Sequence, residues 1–192
     1  MPEVNSLVEA LYNNFLLRDL SAKIVPGAVV LTAALYGSSA AKLLDSLVVQ
    51  VGWPSVLILA GLAWVVGFAV QDLGETLRII RHHPPSYDAS EYRYSRRIRF
   101  KQVATPSESQ QVERYAIIKE ASGNGATAIF LSVGVFAIRS FLSIDLTVDG
   151  PLALQGFLLL VLASALIHAN RSHARKQYLF IDAVINRDEG FS

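Results

Sequence analysis

The chain has 192 residues, 52% of them hydrophobic and only 17% charged, with no cysteine and a mean hydropathy of +0.38, where soluble domains carry about 25% charged residues. So apolar a composition exceeds what one small soluble core hides from water, which excludes an ordinary soluble protein and points to a lipid bilayer. Zero cysteines exclude disulfides, thiol catalysis and Cys-ligated zinc, and a formal net charge of +1 gives no global attraction to nucleic acid or any other polyanion.

Residues 1–22 lack the basic start and small-residue cleavage site of a secretory signal. Val4, Leu7, Val8, Leu11 and Phe15 recur instead at helical spacing, with Glu3, Asn5, Glu9, Asn13 and Asn14 mostly off that face. The pattern predicts an amphipathic helix, lying on the inner leaflet or packed on the cytoplasmic part. Pro26-Gly27 marks a bend into the membrane.

A bilayer core about 30 Å thick needs roughly 20 apolar residues in a helix. Four runs qualify, at Ile24 to Ala41, Pro54 to Val70, Ala126 to Ile144 and Leu152 to Ile167, the last extended to Asn170. Residues 23–72 and 126–170 therefore form two transmembrane hairpins. Residues 73–125 form a basic segment between them, and residues 171–192 a final helix with Tyr178, Ile181 and Ile185 on one face. The expected fold is an all-α membrane protein with four transmembrane helices, a small cytoplasmic layer and an amphipathic N-terminal helix.

Orientation follows from Lys and Arg, which are enriched in cytoplasmic loops. Nine of them lie between spans two and three, from Arg78 to Lys119, and four follow span four. The short connections 43–53 and 145–151 hold Asp45, Asp145 and Asp149 and no basic residue. Both termini are thus expected in the cytoplasm, with the chain in a bacterial inner membrane.

Within 73–125, span two is expected to continue as a helix to Arg81, stopped by His82-His83-Pro84-Pro85. Tyr92 to Lys101 alternates basic with aromatic or apolar residues, which predicts a short strand or extended arm. Ser107 reads as an N-cap with Gln110 three residues on, opening a helix that Gly123-Asn124-Gly125 interrupts before span three.

Several constellations carry functional meaning. Six basic residues between Arg81 and Lys101 face only Asp88 and Glu91. This local excess suits lipid headgroups, an anionic small ligand or a soluble partner protein, with Arg93, Arg96, Arg97, Arg99 and Lys101 as binding residues. Nucleic acid is the least favoured partner. Arg139 lies inside span three, where it must snorkel, pair with Asp145 or Asp149, or line an aqueous path together with polar groups such as Gln155. Ala33, Gly37 and Ala41 in span one, and Ala60, Ala63 and Gly67 in span two, form small-residue stripes for close helix packing. So small a bundle has little interior of its own, and a homo-oligomer follows. The four histidines show no metal-ligand spacing and no nucleophile or phosphate-loop motif occurs, so no metal, cofactor or enzymatic activity is expected. A membrane enzyme using His168, His173 and Asp182 is one alternative, and a non-conducting scaffold tethering a soluble partner is another.

The ERYAIIKEASGN stretch before span three and the HARKQYLFIDAV tail after span four, set in this four-span layout, resemble small membrane subunits of bacterial anti-phage systems such as Kiwa, or transmembrane effectors gated by nucleotide signals. The likeness covers the hydrophobic layout of nearly the whole chain. It implies an oligomeric sensor of envelope disturbance or a pore-forming effector, coupled to a cytoplasmic ligand or partner.

Overall fold

The computed structural model describes residues 17–37, 46, 52–84, 90–142 and 150–190. Every element among them is helical: α1 (Leu17–Asp19), a π-helical turn (Leu20–Ile24), α2 (Val25–Gly37), α3 (Trp53–Thr76), α4 (Ser90–Val103), α5 (Pro106–Leu142) and α6 (Gly150–Asp188). Three helices are long and apolar enough to cross a membrane, Trp53–Thr76, Pro106–Phe141 and Ala153–Asp188. The first expected span falls on a shorter apolar helix, Leu20–Tyr36. Ala41 and the amphipathic stretch up to residue 16 lie outside the described residues.

The apolar halves of α2, α3, α5 and α6 pack into one bundle, and the closest approach is set by glycine. A Cβ on Gly27 would lie 1.8 Å from the Ala63 carbonyl oxygen, and one on Gly67 would lie 2.3 Å from that of Lys23. Backbones this close exclude any side chain between them. Ala63 and Gly67 are buried at this α2–α3 crossing, Ala33 is buried too, and Ala60 is half-buried. Gly37 ends α2.

Pro26 lies inside a helical stretch that runs from Leu17 to Gly37. It has no N–H to give the Ala22 carbonyl one turn earlier, and the Asn124 side-chain amide of α5 donates to that oxygen instead. The π-helical turn immediately before α2 accommodates the same defect. At the far end of the bundle Arg139 Nη1 donates to the Tyr36 carbonyl at 2.6 Å. The arginine thus caps the last turn of α2, where a cation opposes the helix dipole.

α3 starts after Gly52, whose carbonyl accepts from Ser55 Oγ at 2.6 Å, with Pro54 in the first turn where its missing N–H costs nothing. It ends at Thr76 rather than Arg81. Ile79 N donates to Gly74 O and Arg78 N to Glu75 O, with Arg78 at φ 57°, the bond pair of a Schellman stop. The turn folds Ile80 back onto Gly74 and Gly123, where a Cβ would strike its side chain. A close-packed stop therefore acts before the prolines are reached.

Residues 90–103 are helical, not extended. The 3.6 period places Phe100 and Val103 against Ile181, Val184 and Ile185 of α6, whereas a strand would find no partner edge among the described residues. The expected inner face of the tail is the buried one, with Tyr178, Ile181 and Ile185 at 2% exposure or less.

The α5 cap is Thr105, two residues before the expected Ser107. Thr105 N donates to Glu108 Oε2 at 2.8 Å and Glu108 N to Thr105 Oγ1 at 3.4 Å, a reciprocal capping box with Pro106 at the first helical position. Arg187 of α6 grips the same carboxylate, Nη1 to Oε1 at 2.5 Å. These donors hold Glu108 down at about 2 against 4.5 unperturbed. Because the folded value is the lower one, the stabilisation is complete above pH 4.5 and lost as pH falls toward 2. Glu108→Gln is expected to remove this acid-induced loss from the helix content followed by circular dichroism between those values, and an unchanged profile would show that the box does not anchor α5.

α5 runs unbroken through Gly123-Asn124-Gly125. A mid-helix glycine costs about 1 kcal/mol, but Gly123 lets the Asn170 amide and Ile80 approach to where a Cβ would be 2.9 Å from each. The segment read as an interruption is a packing node.

Candidate functional site

At the polar end of the bundle, α4, α5 and α6 enclose a cleft of about 910 Å³, within the size range of small-molecule sites. α4 supplies one wall. Arg93, Arg97 and Lys101 recur at four-residue spacing, so a helix stacks them on one stripe, and all three line the cleft. The other two predicted binding residues turn to α6: Arg96 Nε lies 3.4 Å from Asp182 Oδ1 and Arg99 Nη2 lies 2.7 Å from Asp188 Oδ2. The basic segment is therefore divided, two arginines holding α4 on α6 and three cations facing the opening.

The opposite walls come from Val112, Glu113, Ala116 and Lys119 of α5 and from Gln177 and Ile181 of α6, with His82, His83 and Arg18 at the rim toward the bundle. Arg18 is bound by Glu120, Nε to Oε2 at 3.0 Å and Nη2 to Oε1 at 2.8 Å. Five cationic side chains line the cleft against the two carboxylates Glu113 and Glu120, a net of +3.

Lys119 is the deepest of these cations, 2% exposed. Its Nζ donates to the His82 carbonyl at 3.0 Å and to Gln177 Oε1 at 2.9 Å. Both partners are neutral oxygens, and burial lowers its pKa from 10.5 to about 8. Asn170, fully buried, ties the same region together: its Nδ2 donates to the Lys119 carbonyl and its Oδ1 accepts from Arg81 N, each at 2.9 Å. The segment after α3 is thus suspended between α5 and α6.

A polar chain leads from there into the bundle. His82 Nε2 lies 2.8 Å from Glu75 Oε1, which also accepts from Gln71 Nε2 at 2.8 Å. Gln71 Oε1 accepts from Lys23 Nζ, which sits 4.1 Å from the Phe68 ring centroid. Side chains at the cleft and at the start of α2 are therefore linked through hydrogen-bonded neighbours.

Lys119, Asn170, Gln177 and Lys23 were not singled out by the sequence reading. The available signal was periodic: Asn170, Ala174, Gln177 and Ile181 follow the 4-3-4 spacing of one helix face, and all four are buried. Polar residues on such a stripe mark a buried network.

The remaining candidates are dispersed. Arg139 caps α2, and Gln155 is exposed on α6. Asp145 and Asp149 lie outside those residues. His168 is exposed, His173 Nδ1 lies 2.9 Å from the Ala169 carbonyl, and Asp182 faces Arg96, so the alternative catalytic set is not assembled. No group of three metal-ligating side chains occurs among the described residues. No family model, no curated protein and no solved structure matches the chain, so what the cleft does must be argued from its own residues.

Proposed function

We propose that the chain is a membrane sensor or pore-forming effector of the bacterial inner membrane, four-span and homo-oligomeric, with both termini and the basic cleft in the cytoplasm. An anionic ligand or partner occupies the cleft and shifts the spans. The observation that carries this reading is the continuity of two cleft walls. α5 and α6 are single helices of 37 and 39 residues that line the cleft with one half and enter the apolar bundle with the other. A ligand that binds one wall position better than another shifts the spans by that difference in affinity.

Two ion pairs and the packing of Phe100 and Val103 hold α4 on α6, an attachment that cleft occupancy can bias. Gln155, exposed on the apolar part of α6, supports a further copy as its cover. The resemblance to trigger-responsive membrane subunits of anti-phage systems supports the same role, and no chemistry is assigned to the chain.

Neutralising the cleft imitates its occupation by an anion. Proteoliposomes carrying Arg93→Gln/Arg97→Gln/Lys101→Gln are therefore expected to differ from wild type in ion flux by tenfold or more. Equal flux, with the variant inserted and folded, would favour the scaffold that only tethers a soluble partner.

A further inference from the structure

Three features of the cleft point to a ligand. Lys119 is a buried ammonium with three donors, yet among the described residues its hydrogen bonds reach only the His82 carbonyl and Gln177 Oε1. Both are neutral oxygens, and the charge of Glu120 on the same helix does not outweigh the burial, so an anion within reach would offset a remaining cost. Second, Arg93, Arg97 and Lys101 stand one helical turn apart on α4, where like charges repel. Arg97 and Lys101 have no acidic partner among the described residues. Third, Glu113 of α5 faces the same space, where Arg18 at the rim acts on it through charge, and makes no hydrogen bond among the described residues.

Guanidinium forks and an ammonium suit phosphate oxygens, the arginines as paired donors and the lysine as a point charge. A bare phosphate leaves Glu113 opposed by like charge. An ionised carboxylate only accepts hydrogen bonds, so the ligand that satisfies it presents an N–H. The apolar side chains of Ile98, Val112 and Ile181 lie in the same lining and suit the short carbon link between the two polar groups.

We propose that the cleft binds an organic phosphate ester bearing an amine, its phosphate held by Arg93, Arg97, Lys101 and Lys119 and its N–H groups by Glu113. This rests on the reading of the cleft as an anion site and specifies the anion. Two sources share that chemistry, an aminophospholipid headgroup entering from the adjoining leaflet and a soluble amino phosphate.

The test is calorimetric titration of the full chain in phosphatidylcholine nanodiscs with phosphoethanolamine, ethyl phosphate and pyrophosphate. Phosphoethanolamine is expected to bind at least tenfold more tightly than ethyl phosphate. Glu113→Ala should erase that preference while pyrophosphate still binds, and Arg97→Gln should weaken all three at least tenfold, each variant melting as wild type does. Pyrophosphate binding without any preference for the amine would overturn the inference and leave the anion site standing. Failure of all three probes would overturn both. Repeating the titration with phosphatidylethanolamine in the disc separates the sources: loss of phosphoethanolamine binding through competition assigns the site to the lipid, and undiminished binding assigns it to the soluble ester.

Discussion

Gly27→Ala is expected to break the α2–α3 crossing and lower stability by about 3 kcal/mol, the upper part of the usual overpacking range. The added methyl would stand 1.8 Å from the Ala63 carbonyl oxygen and 2.7 Å from the Gly67 nitrogen. Both are backbone atoms of a helix, so no side-chain rotation relieves the contact, and the helices must separate. Separation exposes the Lys23–Gln71 hydrogen bond and pulls Ala22 from Asn124. Gly61, on the same helix as Gly67, has nothing within 4 Å of its would-be Cβ, so Gly61→Ala should be neutral or gain up to about 1 kcal/mol of helix propensity. Thermal unfolding of the two variants in the same detergent decides the matter, and equal midpoints would contradict the crossing.

Lys119→Met is expected to separate binding from stability. The Lys119 ammonium faces Glu120 on its own helix, Arg97 across the cleft and Arg18 at the rim, and burial outweighs the one favourable carboxylate. With a folded pKa of about 8 against 10.5 unperturbed, the folded chain sheds this proton while the unfolded chain keeps it. Stability therefore rises with pH between those values, by up to about 3 kcal/mol. The methionine variant has no such term, so its stability relative to wild type should fall steadily from pH 8 to pH 10. Below pH 8 the variant should lose anion binding at least tenfold, because the buried charge is gone. Wild-type binding should itself weaken above pH 8, since an anion favours the protonated lysine. A pH-independent difference in melting between the two proteins would show that Lys119 is not desolvated.

The parts of α3, α5 and α6 that are long and apolar enough to cross a membrane were legible because each is a run of about 20 apolar residues, a signal that needs no tertiary information. What failed was local competition. Tyr92 to Lys101 fits a period of two as well as a helix, and only Phe100 meeting Ile181 on α6 decides between them. Ser107 is a good cap in isolation, yet Pro106 favours the preceding Thr105. Gly123 looks like a break until Ile80 and Asn170 are seen to need its missing side chain. At the site, the α4 stripe of Arg93, Arg97 and Lys101 was within reach once the segment is helical. The use of Arg96 and Arg99 as ties to Asp182 and Asp188 depends on how two distant helices meet. Lys119 stands in the sequence only as one of nine basic residues between spans two and three, since its burial is set by the neighbours α6 supplies.

The most direct test of coupling between the cleft and the membrane is a distance measured at the opposite end of the bundle. The chain has no cysteine, so spin labels at Ala34→Cys and Ile138→Cys report only on α2 and α5, at two exposed positions beside the Arg139–Tyr36 contact. Adding phosphoethanolamine, or introducing Arg93→Gln and Arg97→Gln, should move the α2–α5 distance by about 2 Å, the scale of helix shifts in switching proteins. An unmoved distance with the cleft demonstrably filled would contradict transmission from the cleft to the spans.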